Sequence, residues 1–123
     1  LDVQDGVILS GSNETSNQLA MFSFDDGKLF DYISWDDGNL QSPSPCKIYC
    51  AQFMKTTGEY VIAGGSGCNE IKIFDSVNAF QPVAQIKELS RAVFSCDFSN
   101  QGDMFAIGGG DGVVCVFNLV HDV

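Results

Sequence analysis

The feature that most limits what this chain can fold into is an internal repeat of about 44 residues. Ala51-Gln52-Phe53, Gly58-Glu59-Tyr60-Val61-Ile62-Ala63-Gly64-Gly65 and Ile71-Lys72-Ile73-Phe74-Asp75 form one copy. Cys96-Asp97-Phe98, Gly102-Asp103-Met104-Phe105-Ala106-Ile107-Gly108-Gly109 and Val114-Cys115-Val116-Phe117-Asn118 form the next. Phe53 to Phe98 is 45 positions, Gly58 to Gly102 and Gly64 to Gly108 are 44, and Phe74 to Phe117 is 43. Loops therefore differ by about a residue between copies. A fainter copy, Val7-Ile8-Leu9-Ser10-Gly11-Ser12 and Leu19-Ala20-Met21-Phe22-Ser23, comes first, with Gly11 standing 53 positions before Gly64. The excess falls on an inserted loop, Gln41-Ser42-Pro43-Ser44-Pro45, whose prolines and serines read as irregular and extended.

Within each copy the pattern is one of short strands. Ile71 and Ile73 alternate with Lys72, and Val114 and Val116 with Cys115, the period of a strand with two different faces. Tyr60-Val61-Ile62-Ala63 and Met104-Phe105-Ala106-Ile107 are continuously apolar, as a strand buried on both faces must be. Gly58 and Gly102 sit in turns just before those runs, and Asp25-Asp26-Gly27-Lys28 reads as a hairpin turn in the first copy. The fold class is all-β. A repeat of this length holding four short antiparallel strands predicts the blades of a β-propeller, in which radial repetition protects sheet edges. Gly64-Gly65 and Gly108-Gly109 fall where a strand leaves the crowded centre, so small residues there allow neighbouring backbones to approach.

Composition bears on what such blades can do. The formal charge of −10, from 16 acidic and 6 basic side chains, repels phosphate backbones and anionic membranes; it would favour a basic partner, though solubility is the simpler reading. No apolar run is long enough to cross a membrane, and Leu1-Asp2-Val3-Gln4-Asp5 is not a signal peptide. Cys46, Cys50, Cys68, Cys96 and Cys115 are an odd number without a framework spacing, which suits a reducing compartment. Their spacing, with His121 the only histidine, does not provide a zinc ligand set.

On these residues the chain resembles the WD-repeat family. Ile48 to Phe53 and Val93 to Phe98 match the opening strand of its repeat, and Leu9-Ser10-Gly11-Ser12 matches its Ser-Gly-Ser strand end. Asp111-Gly112 stands six positions before Phe117, the family's spacing from turn aspartate to tryptophan. The repeats are degenerate. Phe22-Ser23, Phe74-Asp75 and Phe117-Asn118 replace Trp-Asp, no Gly-His dipeptide precedes a first strand, and Leu89 occupies its place in the last copy. The family's buried His, Asp, Ser/Thr and Trp network is therefore incomplete here, with Asp111, and Asn69 or Glu70, as its remnants. The one literal Trp-Asp, Trp35-Asp36, follows the outer strand of the first copy and is out of register with the family's.

The resemblance implies about two and a half to three blades at 1–40, 46–89 and 90–120, with 41–45 the inserted loop. The first blade is expected to lack its innermost strand, with only Leu1–Gly6 before Val7, and the last to end after its third strand at Phe117-Asn118-Leu119. Because propellers close with about four to eight blades, the chain is expected to be the C-terminal part of a longer propeller, or to complete one with another chain.

Catalytic chemistry finds no residues to carry it. Asp25-Asp26 and Asp36-Asp37 each precede a glycine and read as turns, with no alternating ligands for calcium. His121 has no nucleophile at a strained elbow near it, and Gly64-Gly65-Ser66-Gly67 and Gly108-Gly109-Gly110-Asp111-Gly112 lack the lysine and helix of a phosphate loop. No enzyme activity, cofactor, metal, small-molecule substrate, nucleic acid or membrane is expected. The function the resemblance implies is a non-catalytic scaffold or adaptor binding other proteins, as a subunit of a large cytoplasmic assembly, a class that includes cytoskeletal and ciliary ones. The alternative is the non-catalytic propeller region of an enzyme whose active site lies elsewhere. An extracellular domain using the sequon Asn13-Glu14-Thr15 is a third reading. Candidate partner contacts are Trp35, expected to project with Ser42–Pro45 from the first blade, Lys47, Tyr49 and Arg91. Asp111, Phe74, Phe117, Gly64 and Gly108 are the candidate structural residues.

Overall fold

The computed structural model describes residues 1–36 and 42–120. Asp37, Gln41 and His121, singled out above, lie outside the described residues. Every regular element among the described residues is a strand, so the all-β expectation holds. The first sheet is β1 (Asp2–Gln4), β2 (Val7–Gly11), β3 (Leu19–Ser23) and β4 (Leu29–Ile33). The second is β5 (Lys47–Phe53), β6 (Tyr60–Ser66), β7 (Ile71–Asp75) and β8 (Gln81–Ile86). The third is β9 (Val93–Phe98), β10 (Met104–Gly109) and β11 (Val114–Asn118). Each is an antiparallel meander in chain order. β5 packs on β1 and β2, and β9 on β5 and β6, so the first strand of each sheet lies innermost in an open arc of three blades. Among the described residues no helix is long and apolar enough to cross a membrane.

The first sheet does have an innermost strand, contrary to expectation. Asp5 and Gly6 take positive φ of 51° and 77°, the backbone of a two-residue hairpin whose twist suits flanking strands. That turn pairs Gln4 with Val7, Val3 with Ile8 and Asp2 with Leu9. The Asp2 carboxylate then accepts from Phe53 N at 2.8 Å and Lys55 Nζ at 3.1 Å, tying β1 to the end of β5. Three residues are too few to display a period, so the hydropathy pattern hid the strand and only the Asp-Gly dipeptide marked it.

The second sheet is buried on both faces. Towards the first sheet, Ile48, Ala51, Phe53, Val61, Ala63 and Phe74 pack with Leu9, Leu19, Met21 and Ile33. Towards the third, Cys50, Ile62, Ile71 and Ile73 pack with Val93, Cys96, Phe98, Phe105 and Ile107. The apolar run in β6 therefore means what its pattern predicts. The matching run in β10 does not. Met104 is exposed and Ala106 half-buried, because the described residues cover only one face of the third sheet. The same one-sidedness sets β11, where Val114 and Val116 face outward while Cys115 and Phe117 pack inward. Phe117 stacks on Phe105 with ring centroids 5.1 Å apart.

The seam between β5 and β6 leaves no room for a side chain at Gly65. A Cβ there would fall 1.6 Å from the Lys47 carbonyl oxygen, a contact that only backbone movement could relieve. At Gly64 a Cβ would meet Ile71 Cγ2 at 2.6 Å, and at Gly108 the Ser95 hydroxyl at 2.9 Å. Gly65→Ala is therefore expected to destabilise the chain by more than about 3 kcal/mol, measured by urea unfolding, whereas Gly27→Ala, with open space around it, stays within the roughly 1–2 kcal/mol of its left-handed turn.

Candidate functional site

Antiparallel hairpins sort the loops to two ends. The links into β5 and β9 and the turns into β7 and β11 share one end, called the upper end below, and the turns into β6, β8 and β10 share the other. At the upper end, two irregularities determine what is displayed. In β5 the pairing steps from Ile48–Gly65 to Cys50–Gly64, leaving Tyr49 as the extra residue of a bulge. In β9 it steps from Val93–Gly109 to Ser95–Gly108, leaving Phe94 in the same position. A bulge breaks the in-out alternation and turns the extra side chain outward, and both rings are accordingly exposed, Tyr49 by 45% and Phe94 by 57%.

The two rings meet across the gap between sheets, with centroids 5.6 Å apart and planes 30° apart. Ser66 Oγ donates to the Tyr49 hydroxyl at 2.9 Å and holds that ring in place. Cations extend the strip. Lys47 is exposed two residues before Tyr49, and Gly110 lies against both Arg91 and Phe94, each 3.3 Å from where its Cβ would stand. The structure thus brings Lys47, Tyr49 and Arg91 onto one surface and adds Phe94, which sequence reading missed. The signal was present: Phe94 is Tyr49 advanced by the same 45 positions that relate Phe98 to Phe53.

Trp35 is not on that surface. Its expected projection from the first sheet is overturned, because the indole is 2% exposed and sits between the first and second sheets. Its ring lies 5.6 Å from that of Phe74, itself fully buried. Its Nε1 donates to Glu70 Oε1 at 2.8 Å and to Ser42 Oγ at 3.2 Å. Ser42 Oγ also donates to Glu70 Oε1, and Gln85 Nε2 donates to Glu70 Oε2 at 2.8 Å. Lys72 Nζ donates to the Trp35 carbonyl at 2.7 Å, reaches Asp36 Oδ1 at 3.4 Å and lies 5.0 Å from the centroid of the indole ring. Glu70 and Lys72 are both fully buried, so the alternation of Lys72 with Ile71 and Ile73 does not mark a solvent face. A buried charge needs such partners, and none of the buried polar side-chain atoms among the described residues is left without one.

The third sheet repeats this arrangement in a reduced form. Ser90 Oγ, from the link before β9, donates to Asp111 Oδ2 at 3.0 Å, and Val113 N donates to Asp111 Oδ1 at 3.1 Å. The Val113 amide, then the Ser90 hydroxyl, hold the Asp111 carboxyl below its ordinary range. Asn69 joins the same link, its Nδ2 donating to the Leu89 carbonyl at 3.3 Å. No three His, Cys, Asp or Glu side chains among the described residues converge as a metal site requires.

Trp35→Phe keeps an aromatic ring against Phe74 but removes the donor to Glu70. It is expected to cost about 1–3 kcal/mol in urea unfolding followed by circular dichroism, and Trp35→Ala distinctly more.

No protein-family model matches the chain, and no curated protein sequence does. Among solved structures, the crystal structure of the WD40 beta propeller domain of Doa1 is similar, with a TM-score of 0.69 at 19% sequence identity. The match covers 94% of this chain and 34% of that one, so this chain spans about a third of the domain's length. The three sheets are blades of a WD40 propeller fold.

Proposed function

Because the chain has the fold of a WD40 propeller, we propose that it is a non-catalytic protein-interaction module whose partner seats on the Tyr49–Phe94 strip. The stacked aromatic pair carries this reading. Two large rings exposed at matching bulges have no packing role that requires solvent exposure, whereas aromatic side chains flanked by cations are what partner surfaces concentrate. The propeller fold supports it too, since such folds generally bind other proteins.

Charge narrows the partner. Lys72 is buried and Lys55 is paired with Asp2, while Lys47, Lys87 and Arg91 stand at the upper end. Half of the six basic residues thus gather at one end of a protein of charge −10. A segment offering an aromatic or aliphatic side chain to the rings and a carboxylate to Arg91 or Lys47 fits this strip. The unpaired cysteines support an intracellular setting, with the module one subunit of a larger assembly.

A random-peptide display selection against the full chain tests the reading. Enriched peptides are expected to carry an acidic residue near an aromatic or aliphatic one. Phe94→Ala and Arg91→Glu should each weaken a selected peptide at least about 10-fold, while Trp35→Phe leaves its affinity unchanged. Selected peptides that bind Phe94→Ala and Arg91→Glu as tightly as the parent chain would remove the strip as the docking surface.

A further inference from the structure

The five cysteines divide in a way their spacing hides. Cys46 and Cys50 are four residues apart, yet Cys46 packs in the seam between the first and second sheets and Cys50 in the seam between the second and third. The thiol that shares this seam with Cys50 is Cys96, from the innermost strand of the next sheet. Both sulfurs lie over the same strand. Cys50 Sγ is 3.7 Å from the Gly64 carbonyl oxygen, and Cys96 Sγ is 3.9 Å from that of Ile62, two residues away on β6. The strands that carry them, β5 and β9, pack directly on each other. Each residue is 7% exposed, whereas Cys46 is fully enclosed.

We propose that Cys50 and Cys96 are a modification site at which a hydroperoxide closes a disulfide, stapling the second sheet to the third. Cys50 is the attacking sulfur. The neighbouring Cys96 thiol lowers the pKa of Cys50, while Cys50 and burial raise that of Cys96. The Cys50 thiolate attacks a peroxide oxygen, the O–O bond breaks, and hydroxide leaves to give a sulfenic acid. The Cys96 sulfur then attacks the Cys50 sulfur, the S–O bond breaks, and water departs with the proton of Cys96. Two thiols lose two electrons and two protons in all, and hydrogen peroxide takes them up as two waters. Of the other cysteines, Cys46 and Cys68 are poor competitors. Burial, then the Glu70 carboxylate, pushes the Cys46 thiol up to about 12, and the Cys68 thiol donates to the Ser44 carbonyl at 2.9 Å. The staple lies one residue from Tyr49 and two from Phe94, so it fixes the spacing of the aromatic pair above it. It stands independently of the partner reading, because it concerns the seam and not the surface.

The test treats the full chain with hydrogen peroxide, unfolds it in N-ethylmaleimide and maps the unreduced peptides by mass spectrometry. The expected product joins the Cys50 and Cys96 peptides within one chain, with Cys46 alkylated. Oxidation should raise Tm by at least about 5 °C, a shift that dithiothreitol reverses. Cys50→Ala and Cys96→Ala should each abolish that shift. A Cys46→Ala/Cys68→Ala/Cys115→Ala chain, which leaves the pair intact, should keep both the cross-link and the shift. Recovery of Cys50 and Cys96 as alkylated thiols at a peroxide dose that oxidises Cys68, or a cross-link joining any other pair, overturns the proposal.

Discussion

A sheet with neighbours on both faces can hold a charge only if the charge brings its partners inside with it, and the rest of this structure is arranged around that demand. The second sheet buries Glu70 and Lys72 completely. Both are satisfied chiefly by one residue from the link before the sheet. The indole N–H of Trp35 meets the carboxylate, its carbonyl meets the ammonium, and its ring covers both the ammonium and Phe74. The seam between the first and second sheets is therefore joined by a polar network inside an apolar contact. The seam between the second and third is apolar apart from its pair of thiols and contacts at its rim. The two seams of one repeat protein thus differ in chemistry although their strands correspond.

The proposed function depends on a second regularity, the bulge near the start of β5 and β9. Alternation alone would turn every second residue of these inner strands towards the core. One extra residue per strand turns a side chain outward without disturbing the packing below it, and in both sheets that residue is aromatic. Because the bulge recurs with the repeat, the two rings arrive at equivalent positions on adjacent sheets and stack. A surface feature spanning two blades is thereby generated by a local defect copied once.

Much of the architecture was legible in the sequence. The repeat located β5 to β7 and β9 to β11, because each of these strands has at least five residues and an apolar pattern that recurs in the next copy. β1 was invisible to periodicity and readable only from Asp5-Gly6. Lys72 misled because one charged residue between two isoleucines is the ordinary mark of a solvent face, and nothing local tells that a tryptophan 37 positions earlier will cover it. The proposed binding strip was half legible. Lys47, Tyr49 and Arg91 were identified by their places before inner strands. Phe94 went unnoticed because an aromatic residue in a strand reads as core until the bulge beneath it is seen.

What the sequence determined by itself is the repeat and, through it, the all-β architecture of stacked four-stranded units, since periodic hydropathy and turn residues act over a few positions and need no knowledge of neighbours. Only the tertiary structure decided which faces are covered, that Trp35 serves the core and not the surface, that Cys50 shares a seam with Cys96 and not with Cys46, and that Tyr49 and Phe94 form one strip. Those outcomes depend on which sheet lies opposite which, and on where a strand gains a residue. Both are set by packing between segments tens of residues apart.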